Sequence, residues 1–212
     1  MKITKLGHCA MVIEEGAARL LTDPGSFTVE VQDTQTGLDA IVITHEHQDH
    51  FHIDSVKKLL ETNPGVRVIT NSAVAALLQK EGIAAEVVGD GQSGEVKGVP
   101  IEGYGKDHAP IYGTMGLVEN TGYFIGGRLY FPGDNFHNPN KQLDVLALPV
   151  AGPWMKMSEA IDFVKLLKPR IAFGVHDGMI TPSFRGFVGM ALKMFAAGVE
   201  YVSLQDGESR EF

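Results

Sequence analysis

The segment AIVITHEHQDHFH, Ala40 to His52, sets the tightest constraint on this chain: five apolar or β-branched residues are followed by four histidines and an aspartate within eight positions. A fold that accommodates it must carry a strand to the rim of a sheet and there release a loop crowded with nitrogen and oxygen donors. Three later segments repeat the arrangement, with EGYGKD leading to His108, RLYFPG to Asp134 and IAFGV to His176. One histidine at a strand end is commonly a polar cap. Four donors in the same position imply loops that meet at one rim. In the first loop His45 and His47 stand two apart, the spacing at which an extended backbone aims both side chains the same way, and Asp49 and His50 follow on the turn. A catalytic zinc usually takes three protein donors and keeps one position open. Four donors from this loop are too many for one such centre and too few for two, so His108, Asp134 and His176 are expected to complete the set.

Composition narrows the classes. A chain of 212 residues, 44% hydrophobic and 21% charged, can bury one core of good size. The single cysteine, Cys9, excludes an intrachain disulfide and any thiolate-rich zinc or iron-sulfur site. The start MKITKLGHCAMVIEEG lacks an apolar stretch behind a basic head, and no run approaches the about 18 apolar residues of a membrane span. A cytoplasmic protein with no membrane partner is expected. A formal charge of -8 and the absence of a Lys/Arg run argue against nucleic acid as a partner, although two divalent cations would halve that charge and attract anions locally.

Short apolar runs alternate with Gly, Pro, Asn and Asp throughout, without linker, repeat or low-complexity tract, so one domain over 1–212 is expected. Strands are expected at Ile3 to Leu6, Ala10 to Ile13, Arg19 to Thr22, Ala40 to Thr44, Arg67 to Thr70, Ala85 to Val88, Ile101 to Tyr104, Gly116 to Ile125, Arg128 to Phe131, Val145 to Leu148, Ile171 to Val175 and Glu200 to Leu204. Helices are expected after Ser72 up to Gly82, after Ser158 up to Pro169, and from Thr181 with Pro182 in its first turn to Gly198. Another helix is expected to begin near His52. In the Thr181 helix, Phe184, Phe187, Val188, Ala191, Leu192 and Phe195 recur at helical spacing and predict a core-facing stripe. The pattern suits two packed sheets with helices outside.

THEHQDH fits the H-x-H-x-D-H motif, and the chain resembles the metallo-β-lactamase superfamily over most of its length. LLTDPG, with Asp23, is similar to the first motif of that superfamily, and His108, Asp134 in PGD and His176 match its later motifs in order and spacing. LGHCAMVIE and LPVAGPWMKMSEA resemble the branch of ascorbate-6-phosphate lactonase-like proteins and uncharacterised metal-dependent hydrolases. The resemblance implies an α+β fold, a four-layer αββα sandwich with its site at one edge of the two sheets. It also implies a ligand set: His45, His47 and His108 for one divalent ion, Asp49, His50 and His176 for the other, and Asp134 between them. Zinc suits these donors, and manganese or iron also accept them. Two positions depart from the pattern. Asn135 follows Asp134 where a small hydroxyl residue is frequent, and Asp177 follows His176 where the lactonase-like branch often has tyrosine.

The implied chemistry is hydrolysis of a small ester, lactone or phosphoester by a hydroxide shared between two ions, because coordination lowers the pKa of water from about 15.7 towards 7. Asp49 and Asp134 would be the catalytic carboxylates, with Asp49 taking up the nucleophile's proton. Asp23 is expected to fix a ligand imidazole from behind. Of the flanking residues, His8 either faces the pocket or is a satisfied buried histidine. His137 is either an acid or base on the substrate side or a solvated loop histidine. Lys106 and Arg185 either meet an anionic substrate group or lie in solvent, and Trp154 either walls the cleft or packs in the core. Competing readings are a nuclease of the same superfamily, an oxygen-reducing di-iron protein, and a metal-binding protein without turnover.

Overall fold

The computed structural model describes residues 1–212. In chain order the first half contains β1 (Lys2–Gly7), β2 (Ala10–Glu15), β3 (Ala18–Thr22), α1 (Val29–Gln32), β4 (Ala40–Ile43), α2 (Ile53–Thr62), β5 (Arg67–Thr70), α3 (Ser72–Lys80) and β6 (Glu86–Val87). The second contains β7 (Ser93–Val96), β8 (Val99–Tyr104), β9 (Gly122–Ile125), β10 (Leu129–Phe131), β11 (Val145–Pro149), α4 (Met157–Leu167), β12 (Ile171–Val175), α5 (Pro182–Phe195), β13 (Glu200–Val202) and β14 (Ser209–Glu211). They form two seven-stranded sheets, ordered β14-β1-β2-β3-β4-β5-β6 and β13-β12-β11-β10-β9-β8-β7.

Strand alternation builds the layers. In β4, Ala40 and Val42 enter the core between the sheets, while Ile41 and Ile43 enter a second core with Val56 and Leu59 of α2 and Val74 and Leu78 of α3. In β11, Val145 and Ala147 face inward and Leu146 and Leu148 face outward, against Phe163 and Val164 of α4 and Val188 and Leu192 of α5. Both strands are buried on two faces, so they read as continuous apolar runs instead of alternating ones. The result is the expected four-layer αββα sandwich.

Strand direction then places the site. β4 runs parallel to β3, and β11 and β12 run parallel to β10. β1 reaches β3, and β8 reaches β10, through one antiparallel neighbour each, so they point the same way as those strands. The C-terminal ends of six strands therefore open on one edge of the sandwich, and His8, Asp23, His45, His108, Asp134 and His176 all follow such ends.

Several local expectations are corrected. The strand expected over 116–125 shortens to Gly122–Ile125, because residues before it bond to loops: the Asn120 and Thr121 N–H groups donate to the carbonyls of Lys106 and Thr44. The hairpin partner β7 and the closing strand β14, short and polar, were not expected. Asn71 caps α3 in place of Ser72, accepting the Val74 N–H, and α4 starts after Lys156, whose N–H Glu159 accepts, leaving Ser158 inside the helix. Thr181 caps α5 as expected, but the helix ends at Phe195, before Gly198. The six-residue stripe of α5 is only half buried. Val188, Ala191 and Leu192 pack on the sheet, while Phe184, Phe187 and Phe195 stay 40–58% exposed, because the helix touches the sheet along one narrow row. His52 begins α2 as expected, its side chain accepting the Ser55 N–H. No helix is long and apolar enough to cross a membrane.

Phe173, fully buried between the sheets, should report the integrity of this scaffold. Phe173→Ala is expected to lower unfolding free energy by about 3–5 kcal/mol in denaturant titration. A change below about 1 kcal/mol would contradict the packing described.

Candidate metal centre

Asp23 is the anchor. The carboxylate is fully buried and sits on a backbone with φ of 34°, a conformation unusual for a residue other than glycine. Its Oδ1 accepts the Thr44 N–H at 2.7 Å, and its Oδ2 accepts the Thr44 hydroxyl and His50 Nδ1–H, each at 2.7 Å. Burial pushes the Asp23 carboxyl above its ordinary range, and these donors pull it back. Because the Thr44 hydroxyl hydrogen goes to Asp23, its oxygen is free to accept His45 Nδ1–H at 3.0 Å. His108 Nδ1–H donates to the Ala109 carbonyl at 2.5 Å. Three imidazoles thus carry their proton on Nδ1, and each turns an Nε2 lone pair toward the strand rim.

Those lone pairs converge. His45, His47, His108 and Asp134 each place a ligand atom within 4.8 Å of the others, and so do His8, Asp49, His50 and His176. Asp134 lies between the two sets, with Oδ1 3.2 Å from His50 Nε2 and Oδ2 2.9 Å from His176 Nε2 and 3.2 Å from His108 Nε2. The structure brings together all seven donors predicted from the sequence, and Asp23 stands behind two of them.

Electrostatics match a cation-shaped gap. Burial holds His45 well below its ordinary pKa, hence neutral with a lone pair to give, and it also lowers His47. Burial opposes ionisation of Asp134, but the imidazoles of His50 and His176 outweigh it and hold the carboxyl far below the usual range. Burial disfavours a charged His50 as well, yet Asp134 and the bond to Asp23 push its pKa well above the ordinary value. The same field that favours positive charge on His50 favours a cation beside its Nε2. Four buried atoms facing the gap have no hydrogen-bond partner, His45 Nε2, His50 Nε2, His176 Nε2 and Asp134 Oδ1, and His176 Nδ1 on the other side of its ring has none either. Orphaned buried acceptors facing one another are costly, and a divalent cation satisfies them together. The donor set therefore fits metal.

Two glycines permit this approach. A Cβ on Gly25 would lie 1.8 Å from the Asp49 carbonyl oxygen, where the Ser26 N–H donates to the Gln48 carbonyl and ties the 23–26 turn to the donor loop. On Gly133, with φ of 65°, a Cβ would lie 2.3 Å from Asn120 Oδ1, the atom that accepts the Asp134 N–H.

The flanking residues divide. Trp154 lines the cleft and donates its indole N–H to Asp134 Oδ2 at 2.8 Å. His8 is buried rather than open to the cleft, and its Nε2 lies 3.0 Å from Asp49 Oδ2; burial lowers its pKa to about 4. Arg185 is spent on other partners. Its Nε and Nη1 lie 3.1 Å from carboxylate oxygens of Asp177 and Asp206, and its Nη2 donates to the Asp177 carbonyl. Lys106 and His137 are exposed and do not line the cleft. Residues not singled out beforehand are Thr44, Gly178 and fully buried Lys5, whose Nζ lies 2.5 Å from Asp177 Oδ2. Asp177, the departure after His176, is thus a buried ion-pair residue. Asn135 donates to the Asp107 carbonyl and braces the His108 loop.

Residues 2–176 match a family model described as a β-lactamase superfamily domain. The chain belongs to the metallo-β-lactamase superfamily. It is 37% identical over 191 residues to protein Rv0786c of Mycobacterium tuberculosis, covering 88% of each chain. It is 31% identical over 206 residues to a UPF0173 metal-dependent hydrolase of Aeropyrum pernix, covering 84% of this chain and 82% of that one. Among solved structures, Igni18, a metallo hydrolase of Ignicoccus hospitalis, aligns with a TM-score of 0.77 at 20% identity, covering 100% of this chain and 98% of that one. The metallo-β-lactamase fold protein YhfI of Bacillus subtilis aligns at 0.74 and 17%, covering 99% of each. At those identities the two structures speak for the fold alone.

The contact at Gly25 gives a test. Gly25→Ala is expected to cost about 1–3 kcal/mol or more through overpacking and to loosen metal retention. Gly186→Ala, on the open face of α5 with nothing within 4 Å, should leave both unchanged or gain slightly in stability. Melting temperature and metal content of the two variants decide it, and equal behaviour would contradict the close approach.

Proposed function

We propose that this protein is a metal-dependent hydrolase with two divalent cations, zinc first among the candidates, acting on a small uncharged ester or lactone. The observation that carries it is the set of orphaned lone pairs facing one point from three strand ends, those of β4, β10 and β12. The name of the Aeropyrum pernix relative supports the same activity. His45, His47 and His108 would hold one ion, Asp49, His50 and His176 the other, and Asp134 would lie against both. Such a pair, when bound, acidifies a water towards neutral pH and polarises the oxygen of the bond to be cleaved.

The chain supplies the rest. Trp154 holds Asp134 Oδ2 through its indole N–H, which fixes the carboxylate rotamer. Asp49 is about one fifth exposed at the cleft floor, so its carboxylate is placed to take a proton from the attacking water. Burial opposes its ionisation, but the His8 hydrogen bond and nearby imidazoles keep it well below the usual carboxylate range, so it is ionised at neutral pH. The cleft has a volume of about 400 Å³, enough for a small molecule. Phe27, Ile111, Pro153, Trp154 and Met179 wall it, and no Lys or Arg lines it. An uncharged acyl group suits that wall, whereas a phosphoester would find no side-chain cation. The same lining speaks against a nucleic-acid substrate.

Metal-loaded protein is expected to hydrolyse nitrophenyl esters or lactones faster than nitrophenyl phosphates, and chelation should abolish turnover. His45→Ala and Asp134→Ala should each lower kcat/KM by about 100-fold or more, the upper end of what a disturbed metal site loses. Absence of bound transition metal, or unchanged turnover in both variants, would end this reading. Preference for phosphoesters would overturn only the substrate class.

Loading should also release protons. The pKa of His50 is raised, so protons and the ion compete for its Nε2, and affinity should fall as pH falls. Calorimetric titration in two buffers of different ionisation enthalpy measures this release. Identical heats in both buffers would contradict it.

A further inference from the structure

His8 sits in the tight turn between β1 and β2 with φ of 49°, and it is almost fully buried. Its carbonyl accepts the His176 N–H at 3.1 Å, and its ring packs on those of His176 and Phe27 with centroids 4.3 and 4.8 Å away. By proximity alone it ranks with Asp49, His50 and His176 as a donor that could hold an ion. The hydrogen bond on its far side says otherwise. His8 Nδ1 accepts the Gly178 N–H at 3.1 Å, which requires a lone pair on Nδ1. The proton of the neutral ring therefore sits on Nε2, pointing at Asp49 Oδ2 3.0 Å away. This is the reverse of His45, His50 and His108, whose Nδ1 atoms meet acceptors.

We infer that His8 is a positioning residue and not a metal ligand: its Nε2–H donates to Asp49 Oδ2 and turns the carboxylate so that its remaining lone pairs face His50 and His176. The inference rests on the proposed role of Asp49 as a ligand. Asp49 otherwise has little to hold it. Its side chain is 22% exposed, and its other polar neighbours are the Nε2 atoms of His50 and His176 at 3.6 and 3.5 Å, which the ion itself would occupy. His8 also joins two parts of the centre. One ring edge is held by the 176–178 turn and the other holds the 45–50 loop, so displacement of that turn would reach Asp49 through a single side chain.

Asparagine tolerates the left-handed backbone and can offer an acceptor to the Gly178 N–H, but it is too short to reach Asp49. Glutamine carries an amide N–H further. His8→Asn is expected to weaken binding of one of two zinc ions by about 10–100-fold in competition with a chromophoric chelator. The melting temperature of the cation-free protein should stay within a few degrees of wild type, and His8→Gln should recover most of the affinity. Unchanged affinity in the Asn variant, or equal weakening in both, overturns the inference. Nitrogen-15 imidazole spectra of the wild-type protein give a second arm. A proton on Nε2 of His8, against Nδ1 of His45 and His108, is expected. A proton on His8 Nδ1, or an Nε2 signal shifted by bound zinc, overturns it. Failure of the protein to bind any ion would instead sink the functional reading, and the spectrum would still decide the His8 tautomer.

Discussion

Acceptors that face one another without a donor are the constraint from which the rest of this structure follows. Three imidazole nitrogens and a carboxylate oxygen, all buried and unpartnered, converge at the rim of the sandwich. Each would cost about 1–3 kcal/mol if left unsatisfied, and water alone would have to bridge nitrogens that cannot donate. The chain holds them there through Asp23, which binds His50 directly and His45 through Thr44. That carboxylate sets the tautomers of His50 and His45, and the tautomers set which of their atoms point inward. A neutral residue in place of Asp23 would change the hydrogen-bond sense of two donors without touching either of them.

Holding such a set needs a support that does not relax, and the sandwich supplies it by direction as well as by rigidity. Six strands point the same way, so their C-terminal loops are anchored on hydrogen-bonded ladders on one side and meet on the other. Donors on rigid elements lose little further freedom when they bind a ligand. Local strain is concentrated here as well. His8, Asp23 and His176 all lie in the left-handed backbone region, where non-glycine residues pay about 1–3 kcal/mol in less favourable conformation. Buried Lys5 and partly buried Arg185 bind Asp177 next to His176, which pins that turn. Such a buried ion pair adds little net stability, since its desolvation is large, but removing one partner would leave a charge uncompensated. Its effect falls on the position of the turn.

The site was more legible than its surroundings. His45, His47, Asp49, His50, His108, Asp134 and His176 could be read because each follows an apolar strand, a local pattern that composition does not hide. Asp23 was readable from the resemblance of LLTDPG to a known motif, although Asp before Pro has an ordinary turn reading too. Thr44 was not, because a threonine ending a β-branched run looks like strand; its place between Asp23 and His45 depends on two loops meeting. Arg185 misled for a similar reason. Its charge suggested substrate, while its partners Asp177 and Asp206 come from loops 8 and 21 residues along the chain. In the fold, buried runs such as AIVI and VLALP declared themselves, whereas β7 and β14 are short and polar, and exist as strands through their neighbours' ladders. The α5 stripe failed because helical spacing reports which residues share a face, not how wide a row the sheet offers to receive them.

Histidine spacing finds donors, but it does not say which of them coordinate. Eight histidines occur in the chain, and proximity admits His8 as readily as His50. What separates them is the group on the opposite ring nitrogen. A carboxylate, hydroxyl or carbonyl there draws the proton away from the centre and leaves a lone pair inward, as at His50, His45 and His108. A backbone N–H there forces the proton inward, as at His8. The second nitrogen is set by residues far along the chain, Asp23 for His50 and Gly178 for His8, so the distinction is written in tertiary contacts. A cation attracts the first kind of nitrogen and is repelled by the second. On the proposed assignment the same residue type would serve as ligand on one side of Asp49 and as a clamp on the other, with the polarity of a single distant hydrogen bond deciding between them.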